Sequence, residues 1–312
     1  MPRCIRCRVF LILLLILVGV VPSQAALITK ILANAPDYAW WYGCAPTAAG
    51  MLMGYYDING YGGLNYDNLV PGGTAELETF SGQGWSALAN KAIASQGHVA
   101  DFYKTPPGYG GSGDDNPPPW HSFNSLADFM GTSQDSVGNT NGSTKFYYWS
   151  HGAPFTWQDA KTQGVWNEDG MYGIKEYVEY AGYGVDSLYT QLRWGKAQYG
   201  CTFDTFMAEI NAGRPALLHV TGHSMFAYGY AWDDQTNQQT VYIHDTWTPG
   251  PHTMSWGGYY FGLEHWGMTF FTPTGGTQPP PPPPIPEAGT LLMFGFALAL
   301  LLAGQRWGIQ KN

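Results

Sequence analysis

The hydrophobic periodicity of this 312-residue chain changes at Arg214, and this change constrains the fold more than any other feature. Before Arg214, apolar residues recur at three- and four-residue spacings, which indicates helices in CAPTAAGML, GWSALANKAIASQG, SFNSLADFMGT, DGMYGIKEYVEYAG and TFDTFMAEINAG. After it, ALLHV, MFAYGYAW, TVYIHDTW and MTFFTP are β-branched or aromatic runs separated by turns, which indicates strands. Helices followed by antiparallel strands predict an α+β fold, with the helical part packed on an antiparallel sheet.

The first 25 residues have the composition of a signal peptide. Arg3, Arg6 and Arg8 precede an apolar run, and a small-x-small site at 23–25 follows it. We expect cleavage before Ala26, so that residues 1–25 are removed on export. An uncleaved membrane anchor is the alternative interpretation.

The other end of the chain is equally distinctive. Residues 26–274 form the body, which we interpret as one domain, and residues 275–286 form a proline-rich linker. Residues 287–312 contain the end of a Pro-Glu-Ala signature, an apolar segment and Arg306. This order resembles the PEP-CTERM sorting tail of Gram-negative bacteria, which has Pro-Glu-Pro at the signature.

The resemblance of the tail implies sorting machinery of the exosortase type as a partner. It also implies membrane contact through the C-terminal helix, at least transiently, and a location in the cell envelope or extracellular matrix. A simple C-terminal anchor is the alternative, and both interpretations put the body outside the cytoplasm.

Charge excludes one class of function. Without Arg3, Arg6 and Arg8, the 14 basic residues fall to 11 against 23 acidic ones, a net charge of −12. No basic cluster remains to neutralise phosphates, so we do not expect nucleic-acid binding.

Three residues of the body have the types and positions that nucleophilic cysteine catalysis requires. Cys44 stands where a helix should begin, His223 at the start of a strand and Asp245 at the end of the next. A helix N-terminus and a nearby imidazolium lower a thiol pKa into a range of about 3.5–7.5. We therefore expect Cys44 to be the nucleophile, His223 the base and Asp245 the group that orients the imidazole.

Other interpretations of these polar residues remain open. In an exported protein, Cys44 and Cys201 could form a disulfide, which would exclude the catalytic hypothesis. His219 reads as a core histidine and His244 as a structural residue, although both could join His223 and Asp245 in a metal site. The stretch after Asp57 could be a calcium loop but lacks the closing acid. We expect no metal and no cofactor.

CAPTAAGML, GRPALLHVTGH and VYIHD together resemble segments of the papain-like cysteine peptidases, in particular the bacteriocin-leader-peptidase-like group (peptidase family 39-like). The resemblance implies a papain-like fold and a Cys44–His223–Asp245 triad. It covers little between residues 60 and 202. The family also has a glutamine about six residues before the cysteine that stabilises the oxyanion, and here Tyr38 stands at that place. The Trp41 indole is our candidate substitute.

The sequence therefore predicts an exported cysteine hydrolase that cleaves peptide or isopeptide bonds of a peptide or protein substrate. The alternative is a catalytically weak or inactive peptidase-like module that binds partners in the cell envelope or its matrix.

Overall fold

The computed structural model describes residues 27–82, 84–102 and 122–276. The predicted signal peptide, most of the proline-rich linker and the predicted sorting tail lie outside these ranges. So do residues 106–119, whose glycine, proline and aspartate content predicts a surface loop. Within them the chain is an α+β protein, as predicted. None of the helices in these ranges has the length and apolar character needed to cross a bilayer.

The helices are α1 (Cys44–Asn59), α2 (Leu88–Ile93), α3 (Gln96–Phe102), α4 (Leu126–Phe129), α5 (Trp157–Gln163), α6 (Gly170–Tyr180) and α7 (Phe203–Asn211), with a 3₁₀ turn at Asp135–Val137. The strands are β1 (Leu27–Ile31), β2 (Phe155–Thr156), β3 (Gly184–Leu192), β4 (Ala216–Val220), β5 (His223–Asp233), β6 (Gln238–His244), β7 (His252–Ser255), β8 (Tyr259–Tyr260) and β9 (Leu263–Thr274).

One antiparallel sheet organises the molecule, in the order β2-β3-β9-β4-β5-β6-β7. The long strand β5 pairs with β4 at residues 223–227 and with β1 at residues 229–233. Its other edge pairs with β6 through a hairpin at residues 233–237, where the sequence DDQTN predicts one. The β5–β6 hairpin brings the start of β5 close to the end of β6, where Phe226 pairs with His244.

The order of elements is less segregated than the sequence predicts. Three strands, β1, β2 and β3, precede Arg214 and join the same sheet as the later ones. The helix predicted at 84–97 is broken at Ala94, whose backbone is extended, and only one turn forms within 122–132. Short segments of this kind take their conformation from packing, because local propensity is weak compared with tertiary contacts.

Helix α1 lies at the centre of the core. It packs against β5, β4, α2 and α4, and residues 45–57 are all buried. Its start is fixed by Gly43, which has φ of +156° and whose hypothetical Cβ would lie 2.8 Å from Pro46 Cγ. Pro46 itself suits the first turn, where its missing N–H costs nothing. The local sequence YGCAP therefore places Cys44 at the first position of the helix.

Candidate functional site

Cys44 meets strand β5 at the residue after His223. The main-chain N–H groups of Ser224, Ala45 and Cys44 itself lie near the Cys44 thiol, and each favours its thiolate form. Since Ser224 follows His223 directly, Cys44 lies against the main chain next to the predicted base. Sequence separation between them is 179 residues, so only the packing of α1 on β5 creates this arrangement.

The pKa of the Cys44 thiol is raised from its ordinary value, whereas the sequence predicts a lowered one. Burial is the larger effect, and it outweighs the three main-chain N–H groups that favour the thiolate. Both Cys44 and Cys201 are free cysteines, so the disulfide alternative is wrong. Burial also raises the pKa of Cys201, to about 12.

The imidazole of His223 is oriented by a main-chain group. Its Nε2 lies 2.8 Å from the carbonyl oxygen of Asp245. A carbonyl only accepts, so Nε2 carries the proton and Nδ1 of the neutral ring keeps its lone pair. Burial lowers the pKa of His223, so the neutral ring predominates at pH 7. In this tautomer Nδ1 is available as a base.

In the predicted triad the Asp245 carboxylate orients the imidazole, whereas in the structure its hydrogen bonds go to other groups and its negative charge opposes the lowering of the His223 pKa by burial. The carboxylate accepts hydrogen bonds from the N–H groups of Trp247 and Thr248 at 2.9 Å and from the Tyr260 hydroxyl at 2.7 Å. Although burial alone would raise the pKa of Asp245, these donors hold it below its ordinary value. The carboxylate shapes the loop after β6, and that loop presents the carbonyl to His223.

Trp247 covers the other side of the histidine. Its ring stacks on the His223 imidazole with centroids 3.8 Å apart and an interplanar angle of 20°. The tryptophan is 44% exposed while His223 is 5% exposed, so the indole separates the imidazole from solvent. A hydrogen bond shielded in this way is stronger than one open to water.

Strained backbone surrounds the site. Tyr42, Thr246 and Phe261 have positive φ angles of 57°, 67° and 47°, which bulky and β-branched residues rarely adopt. The first lies two residues before Cys44, and the second lies between Asp245 and Trp247. The N–H of Trp40 joins the two segments by donating to the Thr246 carbonyl at 2.7 Å. Such strain concentrates at functional sites.

Neither Trp41, our candidate for the missing oxyanion donor, nor Tyr38, which stands at the position of the family's glutamine, is placed for that role. The Trp41 indole N–H points to the carbonyl of Ala94 at 3.4 Å, which corrects our assignment of this residue. The Tyr38 hydroxyl, at the position of the family's glutamine, donates to the Glu76 carbonyl at 2.8 Å and is buried. The donors near the sulfur are therefore main-chain N–H groups.

The remaining polar candidates have structural partners. His219 is a satisfied core histidine, as predicted: Nδ1 bonds Ser224 Oγ at 2.9 Å and Nε2 bonds Thr269 Oγ1 at 2.8 Å. Its pKa is lowered to about 3, mainly by burial. His244 Nδ1 lies 3.1 Å from Asp37 Oδ1.

These contacts occupy the histidines of the metal alternative, and no group of three or more metal-ligating side chains occurs in the described ranges. The calcium alternative also fails, because the Asp57 carboxylate accepts the N–H groups of Val70 and Ala75.

Sequence reasoning missed Ser224, Trp247 and Tyr260. For Trp247 a local signal existed: an aspartate followed by Thr-Trp-Thr is typical of a turn closed by the carboxylate on the next N–H groups. Such a turn implies that the Asp245 carboxylate is already used. Tyr260 comes from a separate hairpin and has no such signal.

Comparisons with protein-family models, with curated proteins and with solved structures found no match for this chain. The function is therefore argued from the site alone.

Proposed function

We propose that this chain is an exported cysteine hydrolase of papain-like architecture that cleaves peptide or isopeptide bonds. One observation carries the proposal: the start of α1 sets the Cys44 thiol against the main chain of β5 at Ser224, and the neighbouring His223 is oriented by the Asp245 carbonyl. A thiol at a helix N-terminus beside an imidazole of fixed tautomer is the arrangement of nucleophilic cysteine catalysis.

The reaction starts from two neutral groups, since the thiol pKa is raised and the imidazole pKa is lowered. Nδ1 of His223 takes the thiol proton as sulfur attacks the carbonyl carbon of the scissile bond. The imidazolium then gives this proton to the leaving amine, which departs as the thioester forms. Water, deprotonated by His223, attacks the thioester and releases the acid and the thiol.

Stabilisation of the oxyanion comes from main-chain donors in this proposal. The N–H groups of Cys44 and Ala45 lie at the open end of α1, where the helix dipole also favours negative charge. Without a side-chain amide, one donor of the usual pair is lost, and a loss of this kind costs about 10²–10³ in rate. We expect a slow hydrolase.

The predicted signal peptide and tail place this activity outside the cytoplasm. In the proposal the substrate is a peptide or protein of the cell envelope or extracellular matrix. Exosortase-type machinery handles the tail, and the C-terminal helix provides membrane contact at least transiently.

A second function competes with the first: a binding or matrix module that keeps the peptidase scaffold without efficient catalysis. The raised pKa of Cys44 and the engaged Trp41 indole favour it. It retains the same location and requires no thiol chemistry.

The two functions are separated by variants of the cysteines. The full-length chain in detergent is incubated with denatured casein and with a library of fluorogenic peptide amides, and an epoxysuccinyl probe is mapped by peptide mass. We expect hydrolysis and labelling in wild type and Cys201→Ala, neither in Cys44→Ala, and weak labelling in His223→Ala. Hydrolysis that survives in Cys44→Ala would overturn the proposal. If wild type hydrolyses none of the substrates and the probe labels it no better than His223→Ala, the binding module would be favoured.

A further inference from the structure

A cavity of about 480 Å³ lies at the opposite end of α1 from Cys44. Its walls come from the segment after α1, the start of β3, the end of β9 and the α7–β4 connection. The 16 residues of α1 separate it from the thiol by about 24 Å, so it is not part of the candidate active site. The volume is in the range of about 300–1,000 Å³ that is typical of small-ligand pockets.

A rigid polar group forms one wall. The Arg214 guanidinium holds the Glu209 carboxylate through two hydrogen bonds, Nε to Oε2 at 2.6 Å and the second nitrogen to Oε1 at 3.0 Å. It also donates to the Tyr61 hydroxyl at 2.8 Å. These bonds use three of its five N–H groups, and the other two have no partner within the described part of the chain. The Arg214 guanidinium is therefore held in place, and two of its N–H groups remain available to a ligand.

Another part of the lining contains a β-bulge. The pairing of β3 with β9 shifts its register between Val185 and Ser187, and Asp186 is the unpaired extra residue. A bulge redirects the side chain of its extra residue, and bulges are frequent next to binding sites. Asp186 is exposed and lines the cavity together with the hydroxyl groups of Ser187 and Thr272.

Aromatic rings complete the lining. Tyr61 packs edge-on against Tyr56, and Tyr189 is tilted against Phe270, so both rings are held in place. Tyr66, which is buried, also lines the cavity. Rings that are fixed by packing offer flat apolar surface at little entropic cost.

The charges and polarity of the lining residues indicate which chemical class of ligand the cavity would bind. The lining contains two carboxylates, Asp186 and Glu209, and one cation that Glu209 already neutralises, which disfavours anions such as phosphate. A purely apolar ligand would desolvate the hydroxyl and carboxyl groups without replacing their hydrogen bonds. A neutral polyhydroxylated ligand satisfies both the polar and the aromatic lining, because its hydroxyls pair with the acids and the guanidinium while its C–H faces cover the tyrosines. We infer that this cavity is a saccharide-binding site.

The test is calorimetric titration of the full-length chain, dispersed in lauryldimethylamine oxide so that no sugar detergent competes. The probes are cellotetraose, maltotetraose, xylotetraose, mannotetraose and N-acetylchitotetraose, with inorganic phosphate and cadaverine as an anionic and a cationic comparison. We expect at least one tetrasaccharide to bind, with affinity reduced tenfold or more in Asp186→Ala and in Arg214→Lys. The acid control Asp234→Asn, in the β5–β6 hairpin, leaves binding unchanged.

Circular dichroism of each variant shows whether it is folded, and Asp186→Ala, at an exposed position, keeps the test valid if Arg214→Lys unfolds. Failure of all five saccharides to bind, binding unaffected by Asp186→Ala, or preferential binding of phosphate or cadaverine would each overturn the inference. The variant Cys44→Ala binds like wild type, so the result is independent of the proposed hydrolase activity.

Discussion

Asp245 holds the His223 imidazole through its main chain: the carbonyl oxygen lies 2.8 Å from Nε2, while the carboxylate faces Tyr260 and Thr248. The residue that orients the His223 imidazole is therefore the predicted one, but the group is different. A main-chain acceptor fixes the same tautomer that a carboxylate would fix. The negative charge of the Asp245 carboxylate still acts on the ring, because it opposes the lowering of the His223 pKa by burial.

The first prediction concerns Asp245→Asn. The substitution leaves the carbonyl in place and weakens charge-assisted hydrogen bonds from Tyr260 and two main-chain N–H groups, at a cost of about 1.5–3 kcal/mol. We expect a lower melting temperature and probe labelling of Cys44 reduced by less than tenfold. His223→Ala is the comparison, with a much larger loss of labelling. If Asp245→Asn abolishes labelling while its melting temperature is unchanged, the carboxylate acts directly and our assignment is wrong.

The second prediction concerns the pH dependence of the Cys44 thiol. Because burial raises its pKa, the thiolate fraction is small at neutral pH and grows only as the pH passes the ordinary thiol value of 9.0. In Cys201→Ala, where Cys44 is the one thiol outside the predicted signal peptide, iodoacetamide labelling should be slow at pH 6 and rise continuously to pH 9. A fast rate with a plateau below pH 7 would indicate a preformed ion pair with His223.

The third prediction concerns Trp247, whose ring covers the imidazole. Trp247→Ala exposes His223 to water, so its pKa should rise toward the ordinary value of 6.5. Trp247→Phe keeps a stacked ring and is the matched control. The measurement is the titration of the His223 ring protons by NMR, assigned by their absence in His223→Gln. An unchanged titration in Trp247→Ala would mean that the surrounding strands, rather than the indole, exclude the solvent.

The fourth prediction concerns Asp169, the N-cap of α6. Burial raises its pKa from 3.8 to about 7, and its Oδ2 has no hydrogen-bond partner in the described residues. Between pH 4 and 7 the folded protein therefore binds a proton that the unfolded chain has lost. The contribution of this group to the free energy of unfolding is largest below pH 4 and falls, by roughly 3–5 kcal/mol in total, as the pH rises to 7.

Asp169→Asn should remove this dependence and stabilise the protein at pH 7, because an amide remains neutral and Asn is a good N-cap. Urea unfolding at pH 5, 6 and 7 provides the free energies. The exposed Asp204→Asn should keep the wild-type slope. An equally steep decline in Asp169→Asn would show that another group is responsible.

The fifth prediction separates two costs of replacing glycine. Gly43 and Gly164 both have positive φ, but a Cβ at Gly43 would lie 2.8–2.9 Å from Pro46 and Thr132, whereas Gly164 faces open space. Gly164→Ala should lower the free energy of unfolding by only about 1–2 kcal/mol, which is the cost of a left-handed backbone conformation for a residue with a Cβ. Gly43→Ala should cost more and should also slow labelling of Cys44, since the helix start must move. Equal losses in urea unfolding would show that the neighbours of Gly43 relax freely.

Local sequence determined the elements that carry the candidate site. The Gly-Cys-x-Pro start of α1, the Thr202 cap of α7 and the alternation after Arg214 each specify a conformation within a few residues, and α1, α7, β4, β5, β6 and β9 formed where the sequence predicts them. The nature of His219 was also predictable, because an imidazole within a fully apolar strand must find internal partners.

Tertiary structure decided which strands pair, how the pKa of Cys44 shifts and which group of Asp245 contacts His223. The strands β1, β2 and β3 were not apparent, since their stability comes from pairing with partners far away in sequence. The raised pKa of Cys44 reflects burial by β5 and its neighbours, which no helix-start pattern encodes. The Asp245 carboxylate is bound by the Tyr260 hydroxyl, which comes from another hairpin, and the carbonyl of Asp245 is the group that contacts His223. Local sequence fixes conformation because its interactions lie within a few residues, whereas electrostatics and hydrogen-bond partners are set by groups that only the fold brings together.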